Sequence, residues 1–304
     1  MKQKIGRICC LAVMVSLLLG LGAGFSQYAN TAARLSGASA TGQIQKDLES
    51  TLHLLNAISQ EPWMLPEDVP YQEKAAQLDH YNEIWGYRMI RVVDTSGGVY
   101  RADNEEAVSN LNSRDYIQTL WATNKPQITD AFLAGADGIT LNYTVAVAIA
   151  ENAKTNGAAF AAIDDNEIRT ILSAQPMHTV LLGKKQQCMS GNDESLLGVT
   201  LETRLKEGKL IGGGLEETLL QVRNEEKGTF WILDGLMPTC YAFYNVGMDS
   251  GWTVLTSASF ADVAGELIPA TVFAVIGILL SLAAFILLRK EDAQQETQQY
   301  RPQG

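Results

Sequence analysis

The sequence predicts an α+β chain: two tandem modules with antiparallel sheets, carried on a long N-terminal helix and framed by two apolar segments. Three observations lead there. A basic, apolar start (Lys2–Phe25) and a second apolar run (Ile268–Leu288) bracket the 304 residues. A helical periodicity follows the first run without a break. Beyond it, strand-like alternation and short helical stretches recur twice in the same order.

The second run, IPATVFAVIGILLSLAAFILL, holds no charged residue over 21 positions and ends at Arg289-Lys290. A buried helix is rarely apolar on every face for so long, so this run is expected to cross a membrane. In the first run, Lys2, Lys4 and Arg7 precede CCLAVMVSLLLGLGAGF. That pattern also suits a cleavable signal peptide, but the unbroken helix pattern after it favours an uncleaved anchor. Cys9 and Cys10 precede the apolar stretch, which is not a lipoprotein arrangement. Basic residues at the outer ends of both runs predict cytoplasmic termini and an extracytoplasmic segment 27–266, a two-pass protein of the cell membrane.

Of 23 basic and 34 acidic residues, three basic ones precede the first run, and three of each sign follow the second, leaving −14 for 27–266. Such a charge argues against nucleic acid or an anionic membrane surface as partner. Cys188 and Cys240 are the cysteines outside the apolar start; a disulfide and two buried thiols are both open readings. Three histidines with no ligand spacing predict no metal.

Residues 27–60 read as a helix with Leu48, Leu52, Leu55 and Ile58 on one stripe, broken by Pro62, Pro66 and Pro70. A second helix over 71–85 carries Ala75, Leu78, Tyr81 and Ile84 at similar spacing. RMIRVVDT and VYRAD around Gly97-Gly98 signal a hairpin. A helix around 114–123 precedes QITDAFLA, the turn GADG and the long strand ITLNYTVAVAIA. In that strand Ile139, Leu141, Tyr143, Val145, Val147 and Ile149 share one face. Thr140, Asn142, Thr144, Ala146 and Ala148 share the other. AAFAAID and the helix NEIRTIL close the unit, with Asp164-Asp165 as its N-cap. The second copy runs through HTVLL, QQCMS, a helix-prone connection to 228, GTFWILDG, TCYAFYNVG and GWTVLTSAS, and ends in a helix entering the second run.

YQEKAAQLDHYNEIWGYRMIRVVDTSGGVY, NSRDYIQTLWATNKPQITDAFLAGADG and YAFYNVGMDSGWTVLTSAS together resemble, in order, the signature segments of double Cache extracytoplasmic sensor domains of bacterial transmembrane receptors. The resemblance spans essentially all of 27–266. It implies two PAS-like modules, with a small-molecule ligand in the membrane-distal one, in a chemoreceptor, sensor kinase or diguanylate cyclase. The implied division is an anchor at 1–26, a stalk helix at 27–60, a distal module at 61–175, a proximal module at 176–266, a span at 267–289 and a tail at 290–304. Two departures stand out. Amine-binding members carry Arg-x-Trp-Tyr, whereas Arg114 is followed by Asp115, Tyr116 and Ile117, and Ala162 stands where the family's strand aspartate belongs; an amino-acid ligand is not supported. The tail RKEDAQQETQQYRPQG also lacks any output domain, which implies a fragment of a longer receptor or a separate cytoplasmic signalling partner.

Five residues are candidate ligand contacts. Arg114 can clasp a carboxylate or phosphate, or bridge Asp115 or Asp130. Tyr116 offers a pocket wall and a hydroxyl, or packs in the core. Asp130 can receive an amine or hydroxyl, or cap a turn. Asn142 and Thr144 lie on the small, polar face of the long strand, which suits either a cavity or a closely packed helix. Gly212-Gly213-Gly214 lacks a phosphate-loop lysine, and neither a nucleophile elbow nor HExxH occurs, so no catalytic residue and no cofactor is expected. The expected function is a membrane sensor, homodimeric through 27–60 by analogy. A membrane-anchored interaction or scaffold protein without a small ligand is the alternative.

Overall fold

The structure, a computed structural model, describes residues 2–133, 141–151, 154–191, 194–235 and 237–299. The turn GADG, Ile139 and Thr140 lie outside the described residues.

Helix α1 (Lys2–Ser59) runs unbroken through both the first apolar run and the stalk, 58 residues in all. At 1.5 Å per residue it is about 87 Å long. Its outer half packs through Leu48, Leu55 and Ile58, as the spacing predicts, with Leu52 half-buried against them and Ile44 extending the stripe. Nearer the first apolar run the buried stripe turns small: Ala29, Ala33, Ser36 and Ala40. Gly37 belongs to that stripe; a Cβ there would stand 2.9 Å from the Tyr244 ring and 3.2 Å from Thr256 Oγ1. Helix α2 (Tyr71–Trp85) follows and stops at Gly86 in the left-handed conformation. Ala75 and Leu78 are buried as expected, but Ile84 is exposed, because α2 ends two residues on and its last turn leaves the sheet.

The first sheet holds β1 (Met89–Val93), β2 (Gly98–Arg101), β3 (Asn104–Asn110), β4 (Gln127–Ile128), β5 (Phe132–Leu133), β6 (Leu141–Glu151) and β7 (Lys154–Asp164). Its order is β3-β2-β1-β7-β6-β4, with β5 also on β6, and every pairing is antiparallel. Strand β3 (NEEAVSN) was not foreseen, since all seven residues are exposed and carry no alternation. Helices α3 (Asp115–Thr123) and α4 (Asp165–Ser173) complete this module; Asp164 caps α4 by accepting the Asn166 N–H.

The second sheet is formed by β8 (His178–Leu182), β9 (Cys188–Gly191), β10 (Lys209–Ile211), β11 (Lys227–Asp234), β12 (Met237–Asn245) and β13 (Thr253–Ala258), ordered β10-β11-β12-β13-β8-β9. The connection read as helix-prone holds a 3-10 turn (Glu194–Leu196), α5 (Leu201–Glu207), β10 and α6 (Leu215–Asn224). Both sheets follow one circuit. The module's first strand pairs with its second on one side and with its last on the other, and the penultimate strand comes next. The internal repeat is thus one of topology.

Each sheet has two covered faces. On β6, Tyr143, Val145, Val147 and Ile149 enter the core shared with α1, whereas Ala146 joins Ile117 and Leu120 of α3. In the second sheet Cys188 faces the α5 side and Cys240 the α1 side; neither is in a disulfide, and both thiols are buried. Burial pushes the Cys240 thiol up to about 12, against a pull from Arg34.

Helix α7 (Phe260–Gln299) continues from β13 through the second apolar run, with Pro269 inside it. It returns alongside α1: Gly6 meets Leu288 and Gly277 meets Leu17, while the Phe25 and Phe260 rings lie 5.5 Å apart. Small residues at such contacts let two helices approach closely in lipid. Both helices are long and apolar enough to cross a membrane, and of the 18-residue apolar stretch in each, 0% and 6% is buried.

Candidate functional site

The site builds up from the second face of the first sheet. Alternation on β6 turns Asn142, Thr144 and Ala146 toward α3; on β7 the matching residues are Ala158, Phe160 and Ala162. Helix α3 covers this face with Ile117 and Leu120, both fully buried, and with Tyr116 and Trp121 at the flanks. Ile117 and Leu120 pack directly on the small Ala146, Ala158 and Ala162, with Phe160 among them.

The interface between sheet and helix is polar at one end. Asn142 is only 4% exposed, yet its Oδ1 accepts no hydrogen bond among the described residues. The buried indole N–H of Trp121 likewise finds no acceptor among them. Native proteins rarely leave such groups unpaired, since each costs about 1–3 kcal/mol. Tyr116 is half-buried, and burial pushes its phenol up to about 12 against a pull from Arg114, so it stays a neutral hydrogen-bonding group. Thr144 is held by its backbone: its N–H donates to Thr129 Oγ1 at 2.9 Å, and its carbonyl accepts the Thr129 N–H at 2.9 Å.

Arg114 occupies the N-cap position of α3. Its guanidinium is exposed, stands 6.0 Å from the Phe132 ring, and pairs with neither Asp115 nor Asp130 among the described residues. Phe132 lies opposite Asn142 in the ladder, so their side chains share a face. The structure therefore groups Arg114, Tyr116, Asn142 and Thr144, joined by Trp121 and Phe132, which the sequence reading missed. The signal for Trp121 was present: it follows Ile117 by four positions, on the buried face of α3.

Asp130 goes elsewhere. Its carboxylate accepts the Trp252 indole N–H at 3.1 Å and the Lys184 backbone N–H at 3.1 Å, both from the second module. Lys184 Nζ returns a bond to the Ile128 carbonyl at 2.8 Å. The cause is register. Ile128 faces Val145 and Phe132 faces Asn142, so four steps on one strand match three on the other. Alternation from Ile128 keeps Asp130 on the α1 side, and one extra residue turns Phe132 to the α3 side. Asp130 caps the turn after β8, joining the modules.

A scan of family models and a search of curated proteins find no match for this chain. Solved structures do match. The ligand-binding domain of the Pseudomonas fluorescens chemoreceptor CtaA, in complex with L-isoleucine, has a TM-score of 0.62 at 14% identity, covering 82% of this chain and 98% of that one. The sensory domain of the Campylobacter jejuni chemoreceptor Tlp3 with isoleucine bound gives 0.59 at 14%, over 81% and 97%. The Pseudomonas aeruginosa chemoreceptor PctC ligand-binding domain with GABA gives 0.57 at 16%, over 73% and 96%. With two antiparallel sheets of one topology strung along a single long helix, the chain has the double Cache fold of bacterial chemoreceptor sensory domains.

Proposed function

We propose that the chain is a two-pass membrane sensor whose first module, 61–175, binds a small polar solute between its sheet and α3. The carrying observation is the pair of unpaired buried groups, the Trp121 N–H and Asn142 Oδ1, on the face that α3 covers. A solute with one acceptor and one donor would complete both, with Tyr116 and Thr144 beside it and Arg114 at the rim. The chemoreceptor domains of the same fold, which bind isoleucine and GABA, support this reading. The substitution pattern at Tyr116, Ile117 and Ala162 still speaks against an amino acid as this chain's own ligand. The residues are suited to binding, not turnover.

The second module, 176–266, then acts as the transmitter. Asp130 ties the ligand-side strands to Lys184 and Trp252, and β13 leads directly into α7. Both termini lie in the cytoplasm on this reading, with α1 and α7 as the spans. Tyr28 and Leu35, seven residues apart on α1, are both exposed, which suits a homodimer along the stalk. Cysteine at position 35 should then cross-link two copies; strictly monomeric material would remove the dimer from the account.

The test is a metabolite thermal-shift screen on the full chain in nanodiscs. At least one solute should raise the wild-type midpoint, and Arg114→Ala with Tyr116→Ala should erase that shift while leaving the protein folded. A shift that survives both substitutions puts the ligand elsewhere. The scaffold alternative has one observation in its favour, the close packing of Ile117 and Leu120 on Ala146, Ala158 and Ala162. It predicts no solute response at all.

A further inference from the structure

The second module has its own opening. A cavity of about 610 Å³ lies between the outer face of the second sheet and α5, within the usual range for small-molecule sites. Its inner end is apolar, walled by Val180, Leu182 and Leu255. Strand alternation puts His178, Ser257 and Tyr241 on the same face toward the other end, where the cavity meets the first turn of α7 at Ser259 and Asp262.

The polar end has unmet capacity. Thr239 lines the cavity at 8% exposure, and its hydroxyl has no hydrogen-bond partner among the described residues. Asp262 spends one oxygen on the Ser259 N–H and hydroxyl, at 2.7 and 2.6 Å. Its other oxygen stands 3.6 Å from His178 Nε2, outside hydrogen-bond range. Asp234 uses one oxygen to accept Arg204 Nη2 at 3.0 Å and leaves the second without a bond among the described residues. Among the described residues Arg204 is the one permanent cation on the lining, and Glu207 and Asp234 already hold it. The polar end is therefore net negative, in a segment that is itself acidic, and it lies next to an apolar pocket.

We infer that this cavity is a second ligand site, for a small organic amine with an apolar body. The body lies against Val180, Leu182 and Leu255, and the ammonium donates to Asp234, Asp262 and the Thr239 hydroxyl. Charge-assisted bonds of this kind are the strong ones. Asp262 is on the opening turn of α7, so an ammonium drawn to it pulls on the helix that enters the membrane. Binding here does not depend on the site under α3.

The test uses 2-phenylethylamine, titrated calorimetrically into the full chain in nanodiscs. Its neutral and anionic counterparts are 2-phenylethanol and 3-phenylpropionate. The amine should bind, the alcohol about tenfold more weakly, and the acid not at all. Asp234→Asn and Asp262→Asn should each weaken the amine about tenfold. Thr239→Val, which keeps shape, should weaken it less, and Ser257→Leu should fill the space and abolish binding. Arg114→Ala should change nothing, which separates this site from the distal one. Equal binding of the acid, amine affinity untouched by all four cavity substitutions, or no heat at millimolar amine would overturn the inference.

Discussion

Asn142 and Trp121 hold polar atoms out of water without a partner among the described residues, and that imbalance has a measurable sign. Replacing Asn142 by leucine removes an unpaired amide oxygen and fills a similar volume. The ligand-free protein should become more stable, by about 1 kcal/mol, while the response to solute disappears. A destabilised Asn142→Leu protein would mean that the amide is already satisfied and the site is misplaced. Residue-level legibility was uneven for a physical reason. Period-two alternation is strict within β6, so the faces of Tyr143 to Ile149 and of Asn142 to Ala146 could be read directly. Asp130 could not be placed, because one extra residue separates its face from that of Phe132, and a bulge leaves no mark in composition.

Elements show how the stalk reads each module. Along α1 the contact residues shrink from leucine and isoleucine to alanine and glycine where the helix meets β12 and β13. Gly37 is needed there for approach, whereas Gly42 meets nothing within 4 Å. Gly37→Leu should destabilise by about 1–3 kcal/mol through overpacking; Gly42→Ala should stabilise by up to about 1 kcal/mol through helix propensity. Chemical denaturation of the two variants checks both, and opposite signs are the expected result. The β1–β2 hairpin carries a pH signature. Burial alone would raise the Asp94 carboxyl, but donors at Ser96, Tyr100 and Gly98 outweigh it and hold the group below its ordinary value. A carboxyl depressed by folding contributes stability above its unfolded value, about 3.9, and loses it as pH falls through the folded one. Melting should thus drop more steeply below about pH 4 in the wild type than in Asp94→Asn; parallel profiles would contradict this. The hairpin itself was legible from Gly97-Gly98, while β3 was not: it is a sheet edge of exposed polar residues, held by pairing with β2 and not by burial.

At the scale of the whole molecule, the two apolar helices, the long stalk and the repeated order of elements were all visible in the sequence, because each rests on local pattern. What pattern does not carry is contact between distant segments, such as Asp130 with Trp252, or Gly6 with Leu288. On the reading proposed above, those contacts are the route from site to membrane: solute under α3 would bear on β5 and β6, Asp130 would pass the strain to the second module, and β13 would deliver it to α7. A ligand shifts α7 only if it binds the two arrangements unequally. Helix displacements of this type are about 1–2 Å, enough to change how readily paired cysteines meet. The decisive measurement is the rate of disulfide formation between cysteines at positions 6 and 288, with Cys9 and Cys10 replaced, in the full chain in nanodiscs with a solute found by thermal shift. Saturating solute should change that rate severalfold in this background, and neither the Arg114→Ala, Tyr116→Ala double substitution nor Asp130→Ala should show the change. An unaltered rate, or the same change in all three proteins, would contradict transmission from the distal module to the membrane.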